Sequence, residues 1–358
     1  MDSDILPFTE AMLPEAGRIL AARCRSNRLT LPALPARFED PAAAVAAIQA
    51  CLERDHVSGL AAVDGDQLLG YLIGDLVIDE IWGRSAWVRL AGCALSGAQS
   101  KELRPKRSGA QSKGGALAPD QSLELVRDLY AALAASWVAS GCFTHIALLP
   151  TANPAMLQAW YSLSFGIEQV YGLASLEALD LRQPPPPPGL EIRLAASDDR
   201  QALESMYDLI WRANVDAPVW GLHLPERDAE LRLAYGDLVD DPDAVVWLAY
   251  LDGEPAGFQC YFPGEHSADA LLVPDGCIVL EVAGTQPQFR GRGIGSLLTR
   301  AGLAHAFESG YRFCLADWRS ANLLASRFWP RRGFRPAAYR LARRVDPRIA
   351  WGNDRQSI

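Results

Sequence analysis

Four residues in one half of the chain recur in the other half at a single offset, and that recurrence restricts the fold more than any other feature. A shift of 169 positions places Gly141 on Gly310, Asn153 on Asn322, Trp160 on Trp329 and Phe165 on Phe334 without a gap. At 358 residues the chain exceeds the usual single core, so two copies of one unit are expected. The halves meet at Arg182 to Gly189, which holds five consecutive prolines, Pro184 to Pro188. Polyproline II rises about 3.1 Å per residue, so this reads as a stiff spacer of roughly 15 Å. Upstream the spacing differs, because Gly92 to Gly141 covers 49 residues and Gly284 to Gly310 covers 26. The excess falls on residues 96–118, where SGAQSK occurs twice and where all three lysines lie (Lys101, Lys106, Lys113); it reads as a solvated insertion.

Both halves spell the same order of elements. The first half predicts helices over 11–23 and 41–54, with Asp40 as N-cap of the second, and a hairpin of 59–63 and 68–78 turning at Asp64-Gly65-Asp66. A strand over 86–91, a helix over 122–140, the strand FTHIALLP and a helix over 153–166 follow. In the second half GLEIRLA reads as a strand, Asp198 or Asp199 caps a helix reaching about Ala213, and 225–239 forms another. The runs 244–251 and 255–262 make a second hairpin around Asp252-Gly253, matched to Asp64-Gly65.

The chemistry concentrates at Pro287 to Ser296, which reads PQFRGRGIGS between an apolar strand-like run, CIVLEVA (277–283), and an amphipathic helical segment, 294–309. Gly291, Gly293 and Gly295 can take positive φ and lack a Cβ, so a ligand can approach the backbone there. The first helical N–H groups point outward, the helix dipole adds partial positive charge, and Arg290 and Arg292 add whole charges. A phosphate or pyrophosphate is the expected guest. A P-loop is excluded because its lysine is missing, and a GxGxxG or GxGxxA dinucleotide fingerprint fails at Ser296, although Asp317 stands where a ribose-binding acid would. That reading, a nucleotide-binding oxidoreductase, would carry affinity for NAD(H).

Arg290, Gly293 and Gly295 meet the pattern Arg or Gln, two residues, Gly, one residue, Gly or Ala. With Asn322, Trp329, Gly333 and Phe334 at the spacings of a second motif, this stretch resembles the GCN5-related N-acetyltransferase (GNAT) superfamily. The resemblance implies an α+β fold: two tandem GNAT-like acyl-CoA N-acyltransferase domains, each a mixed, mostly antiparallel sheet flanked by helices. The repeat and the proline run divide the chain into a degenerate copy over 1–181, the linker 182–189, a cradle-bearing domain over 190–346 and a tail over 347–358, and suggest a monomer built as an intramolecular pseudo-dimer. The resemblance further implies acetyl-CoA as cosubstrate, held by Val282, Ala283 and Thr285 on the strand, by Arg290, Gly291, Arg292, Gly293, Ile294, Gly295 and Ser296 in the cradle, and by Asn322 and Trp329. In the first copy the cradle positions fall on Gln121, Glu124 and Val126, whose charge and Cβ atoms oppose a pyrophosphate unless a shifted register brings in Gly114 or Gly115.

Transfer of an acetyl group to an amine needs a base for the ammonium proton. Glu281, the only ionisable side chain of 277–284 apart from its cysteine, is the candidate, with a pKa raised by apolar neighbours; its alternative is a carboxylate paired across the sheet. Asp317 is a second base or an anchor for the amine. The sequence departs from the resembled family at the tyrosine that commonly protonates the leaving thiolate, which falls on Trp329, whose indole is no useful acid. In the resembled family acceptor contacts come from the first two helices and their loop, which implies Trp211, Trp220 and His223 here, with a small-molecule amine as substrate. The alternative from another class is a non-catalytic CoA-binding or regulatory protein. A net charge of −9 argues against nucleic acid. The absence of an 18-residue apolar run argues against a membrane span, the acidic start MDSDILPFTE points to the cytoplasm, and seven cysteines without a CxxC pair give no metal site and read as buried thiols.

Overall fold

A computed structural model describes residues 3–80, 83–96, 119–267 and 270–352. The elements of the first sequence copy are β1 (Asp4–Pro7), α1 (Leu13–Thr30), α2 (Pro41–Leu52), β2 (Ser58–Asp64), β3 (Gln67–Asp79), β4 (Gly83–Val88), β5 (Cys93–Leu95), α3 (Pro119–Ala139), β6 (Thr144–Pro150), α4 (Pro154–Ser162) and β7 (Gly166–Ser175). The second copy contributes β8 (Leu190–Leu194), α5 (Arg200–Glu204), α6 (Leu209–Val215), α7 (Asp228–Asp237), β9 (Val245–Leu251), β10 (Glu254–Pro263), β11 (Cys277–Thr285), α8 (Ile294–Glu308), β12 (Phe313–Arg319), α9 (Leu323–Phe328) and β13 (Arg335–Arg344). Strands β1, β5, β7 and β13 were not among the sequence expectations. The helix expected up to Ala213 breaks into α5 and α6.

The chain forms two compact units: residues 1–168, 266–272 and 337–358, and residues 169–265 and 273–336. A cut at the proline run separates the two sequence copies, whereas the compact units trade a strand across that cut. In the first unit the sheet order is β1-β2-β3-β4-β6-β13, with β5 on β3. In the second it is β7-β12-β11-β10-β9-β8. Each sheet is antiparallel apart from one parallel pair, β4 with β6 and β11 with β12. The first unit also takes in Leu271 and Leu272, 7% and 6% exposed, and Arg37 Nη2 donates to Ala270 O at 3.2 Å.

The duplication is written in backbone detail. Gly141 and Gly310 both have positive φ, +77° and +98°. Asn153 and Asn322 each cap the following helix: Met156 N donates to Asn153 Oδ1 at 3.1 Å, and Leu324 N to Asn322 Oδ1 at 3.1 Å. Phe165 N returns to Trp160 O and Phe334 N to Trp329 O, both at 3.3 Å. The aromatic pairs close edge to face, at 4.9 Å between Trp160 and Phe165 and 5.4 Å between Trp329 and Phe334. In the first unit Tyr130, Trp137 and Trp160 form the centre of the core with buried leucines of α3 and β6.

The hairpins differ by one residue from the expected match. Leu251 pairs Glu254 around Asp252-Gly253, whose φ values of +53° and +85° suit a type I′ loop. Asp64 pairs Gln67, so the first loop is Gly65-Asp66. All seven cysteines are free and buried, as expected. Among the described residues no helix is long and apolar enough to cross a membrane. Apart from Ser96, the SGAQSK repeats lie outside the described residues, as do Gly114 and Gly115.

Helix α8 lies on the second sheet by presenting apolar residues at three- and four-residue spacing: Ile294, Leu297, Leu298 and Ala301 are buried. Gly302 permits the closest approach, since a Cβ there would stand 2.5 Å from the Tyr261 ring. Tyr261 OH donates to Gln259 Oε1 at 2.6 Å, Gln259 Nε2 to Thr299 Oγ1 at 2.8 Å, and Thr299 Oγ1 to Gly295 O at 2.8 Å. This relay ties the sheet to the first turn of α8. Gly302→Leu is therefore expected to lower stability by about 2–4 kcal/mol through overpacking and loss of the relay, read as a lower midpoint of urea unfolding.

Candidate active site

Two features of the second unit converge at the end of β11. The parallel ladder from β11 to β12 runs from Cys277 with Phe313 to Leu280 with Ala316 and stops. On its other side β11 stays paired with β10 as far as Thr285 with Gly257. The β12-facing backbone groups of Val282, Ala283, Gly284 and Thr285 are thus left outside any described ladder, and an opening begins between the two strands. Glu281 marks the place. Cys260 pairs Val282 and Tyr261 pairs Leu280, so Glu281 is the extra residue of a β-bulge.

Glu281 keeps an exposed surface, which differs from the buried setting expected of it. Its carboxyl pKa is nevertheless raised, first by partial loss of water around the group and then by the charge of Glu265. The neighbouring Cys260 thiol is pushed up to about 12, chiefly by burial, and is inert as a nucleophile. Asp317 lies one residue past the last β11–β12 pair, half-buried, and faces Tyr171 of β7 in the antiparallel register. Residues directly opposite in such a pair project to the same side of the sheet, so a carboxyl and a phenol are set side by side. The phenol comes from the first sequence copy. Its only sequence signal is alternation in GIEQVYGLAS, and Gly172, the next residue, lets β7 approach the Trp318 ring to 2.5 Å of where a Cβ would stand.

From Thr285 the chain turns into the glycine loop. Gly291 and Gly293 take φ values of +79° and +80°, and a Cβ on either would meet nothing within 4 Å, so both backbones face open space. Gly295, expected to share that conformation, is instead a right-handed residue of the first helical turn, with the Phe328 ring 3.7 Å from its Cβ position. Ser296 N and Leu297 N return to Gly293 O at 3.0 and 3.1 Å. The amides ahead of them, through Ile294 and Gly295, are those that helix geometry leaves without an intrahelical acceptor. Arg290 Nε donates to Thr285 O at 3.2 Å and the Arg292 guanidinium stands 5.8 Å from the Phe289 ring centre, so both cations flank the loop. Outward amides, a helix N-terminus and two guanidiniums make an anion cradle that a Cβ at Gly291 or Gly293 would partly fill. The residues present fit a pyrophosphate.

The remaining expected residues serve differently. Asn322 Nδ2 donates to Asn214 Oδ1 at 3.1 Å, which fastens α9 to the last turn of α6 while Oδ1 caps α9. Trp329 is buried and stands edge to face with Phe328 at 4.8 Å. Trp211 stacks on His223 at 3.7 Å, and His223 Nε2 shares a hydrogen bond with Asp228 Oδ1 at 2.8 Å. The histidine is held in a packed layer. Trp220 is 74% exposed on the loop after α6.

Among the described residues of the first unit, the corresponding positions are occupied differently. Its β4–β6 ladder ends at Val88 with Ala147, and Ala147 is the counterpart of Ala316 under the 169-residue shift, so this end is shared. Beyond it the Arg23 guanidinium, 8% exposed, donates to Leu90 O at 2.7 Å and to Cys93 O. Helix α3 begins at Pro119, six positions earlier than the counterpart of Ile294, so Glu124 and Val126 lie inside a continuous helix. There Val126 is buried and Glu124 pairs with Arg127 at 2.9 Å.

Residues 203–334 match the family model described as Acetyltransferase (GNAT) family. No curated protein matches the chain. Among solved structures, the chain is similar to a GCN5-related N-acetyltransferase from Sphaerobacter thermophilus at 13% identity and a TM-score of 0.54, over 96% of this chain and 95% of that one. A tandem GNAT protein from the clavulanic acid biosynthesis pathway matches at 14% identity and a TM-score of 0.49, over 96% of this chain and 98% of that one.

Proposed function

The chain carries an acetyltransferase (GNAT) domain at residues 203–334, and from it we propose that the second unit transfers an acetyl group from acetyl-CoA to a primary amine of a small molecule. The observation that carries this reading is the anion cradle at the head of α8, one loop away from a strand whose last residues are released from their neighbour. Acetyl-CoA supplies an activated acetyl group as a thioester. Residues 290–296 hold its pyrophosphate, and the released amides of Val282 to Thr285 receive its pantetheine arm and polarise the acyl oxygen. Glu281 accepts the ammonium proton, and Asp317 orients the amine by charge. Tyr171, beside Asp317, donates the proton to the departing sulfur in place of the buried Trp329.

Incubating the protein with acetyl-CoA and a panel of primary amines, with thiol release recorded, tests the reading. Amine-dependent release is expected. Tyr171→Phe should lower kcat by about 10-fold, a modest factor because a thiol of pKa about 8.5 departs without much help, and should leave acetyl-CoA affinity unchanged. The buried indole at 329 favours a second reading, a CoA-binding protein without catalysis, and binding with no release from any amine would support it.

A further inference from the structure

The cradle employs two of the cations near α8, Arg290 and Arg292. Three more arginines crowd the same helix. Arg300 follows Ser296 by four residues and so shares its face of α8. Arg332, at the end of the 3-10 turn Pro330–Arg332, donates to Ser296 Oγ, and its guanidinium lies 4.5 Å from the centre of the Phe328 ring. Phe328 is the ring set against Gly295, so Arg332 is fastened beside the first turn of α8 from two sides. Arg331 precedes it on the same turn, which Gly333 ends at a φ of +88°.

These guanidiniums are close enough to act on one another. Partial burial, then the charges of Arg300 and of Arg331, hold the Arg332 pKa below its ordinary value. Among the described residues none of the three forms an ion pair with a carboxylate. Asp180, the acid that feels Arg300, is already bidentate to Arg182 at 2.8 and 2.9 Å. Like charges held together lower stability, and a dianion with several acceptor oxygens is the group that relieves them. Acetyl-CoA carries one such group outside its pyrophosphate.

We propose that Arg300, Arg331 and Arg332 form a second phosphate site beside the cradle, which takes the 3′-phosphomonoester of the acyl donor and makes the protein selective for CoA over 3′-dephospho-CoA. The inference rests on the donor reading above. Calorimetric titration of the full chain with CoA, with 3′-dephospho-CoA and with adenosine 3′,5′-bisphosphate tests it without any acceptor. CoA should bind about 10- to 100-fold more tightly than its dephospho form, and the bisphosphate should compete with CoA. In Arg331→Gln/Arg332→Gln the ratio should fall to about 1–2 through loss of CoA affinity alone. Arg300→Gln/Arg331→Gln, which leaves the Arg332–Ser296 bond in place, should lower the ratio as well. Equal binding of CoA and dephospho-CoA by the unaltered protein would overturn the inference and leave the donor reading standing; binding of neither would overturn both. Inorganic phosphate that weakens CoA and dephospho-CoA equally would assign phosphate recognition to the cradle alone and would also count against the second site.

Discussion

Gly293→Asp is expected to weaken acetyl-CoA binding by a factor on the order of 100 to 1000 while leaving the chain folded. Gly293 is the N-cap of α8 at a φ of +80°, and a side chain there would meet nothing in the protein within 4 Å. Aspartate tolerates the left-handed region better than most residues, at a cost of about 1 kcal/mol, and its carboxylate can accept from the first-turn amides as N-caps do. The two effects nearly cancel in stability. For a ligand they act together, because the carboxylate occupies the amides, fills the cradle and repels a pyrophosphate at the positive end of the helix. Calorimetry and thermal melting of the same sample would separate the effects. Unchanged affinity would mean that the cradle is not where the donor binds.

Glu281→Gln is expected to lower kcat by about 100- to 10,000-fold, the range of a lost general base, with acetyl-CoA affinity intact. The pH dependence has a definite sign. Lost solvation and the Glu265 charge raise the pKa of Glu281 above its ordinary value of 4.5, so the base is protonated on the acid side and activity should rise with pH through that raised value. Replacing Glu265 by Gln should shift this limb toward lower pH. Stability runs the other way. A carboxyl whose folded pKa is raised adds stability below its unfolded pKa and loses that contribution as pH rises through the folded value. At neutral pH the ionised Glu281 therefore disfavours the fold, and the Gln variant should melt no lower than the unaltered protein. A variant that is both inactive and markedly less stable would instead fit a structural carboxylate.

The sequence carried the fold where local chemistry set it. Glycines at 141 and 310, asparagine caps at 153 and 322, and the Trp–Phe pairs that follow them reappear as matched φ angles, hydrogen bonds and ring contacts. The glycine loop likewise declared its turn, because Gly291 and Gly293 need positive φ and a helix must start after them. Non-local pairing was not legible. No local signal says that GIEQVYGLAS joins β12 while RPAAYRLARR joins β6, because a strand's periodicity fixes its faces and not its partner. Tyr171 was missed for that reason. The bulge at Glu281 follows from the unequal count of residues on β10 and β11, which a single strand cannot reveal. Likewise, the stacking of His223 on Trp211 depends on a loop that folds back after α6.

The central claim is that one copy of the duplicated fold binds acetyl-CoA and the other does not. Titrating acetyl-CoA into the full chain by calorimetry and reading the stoichiometry tests it most directly. One site per chain is expected, because the second unit has the glycine loop at the head of α8, whereas the described residues 169 positions earlier lie in a continuous helix where Glu124 pairs with Arg127, and Arg23 holds the carbonyls of Leu90 and Cys93. Two sites per chain would contradict the loss in the first unit, and no binding would contradict the assignment of a donor site to the second.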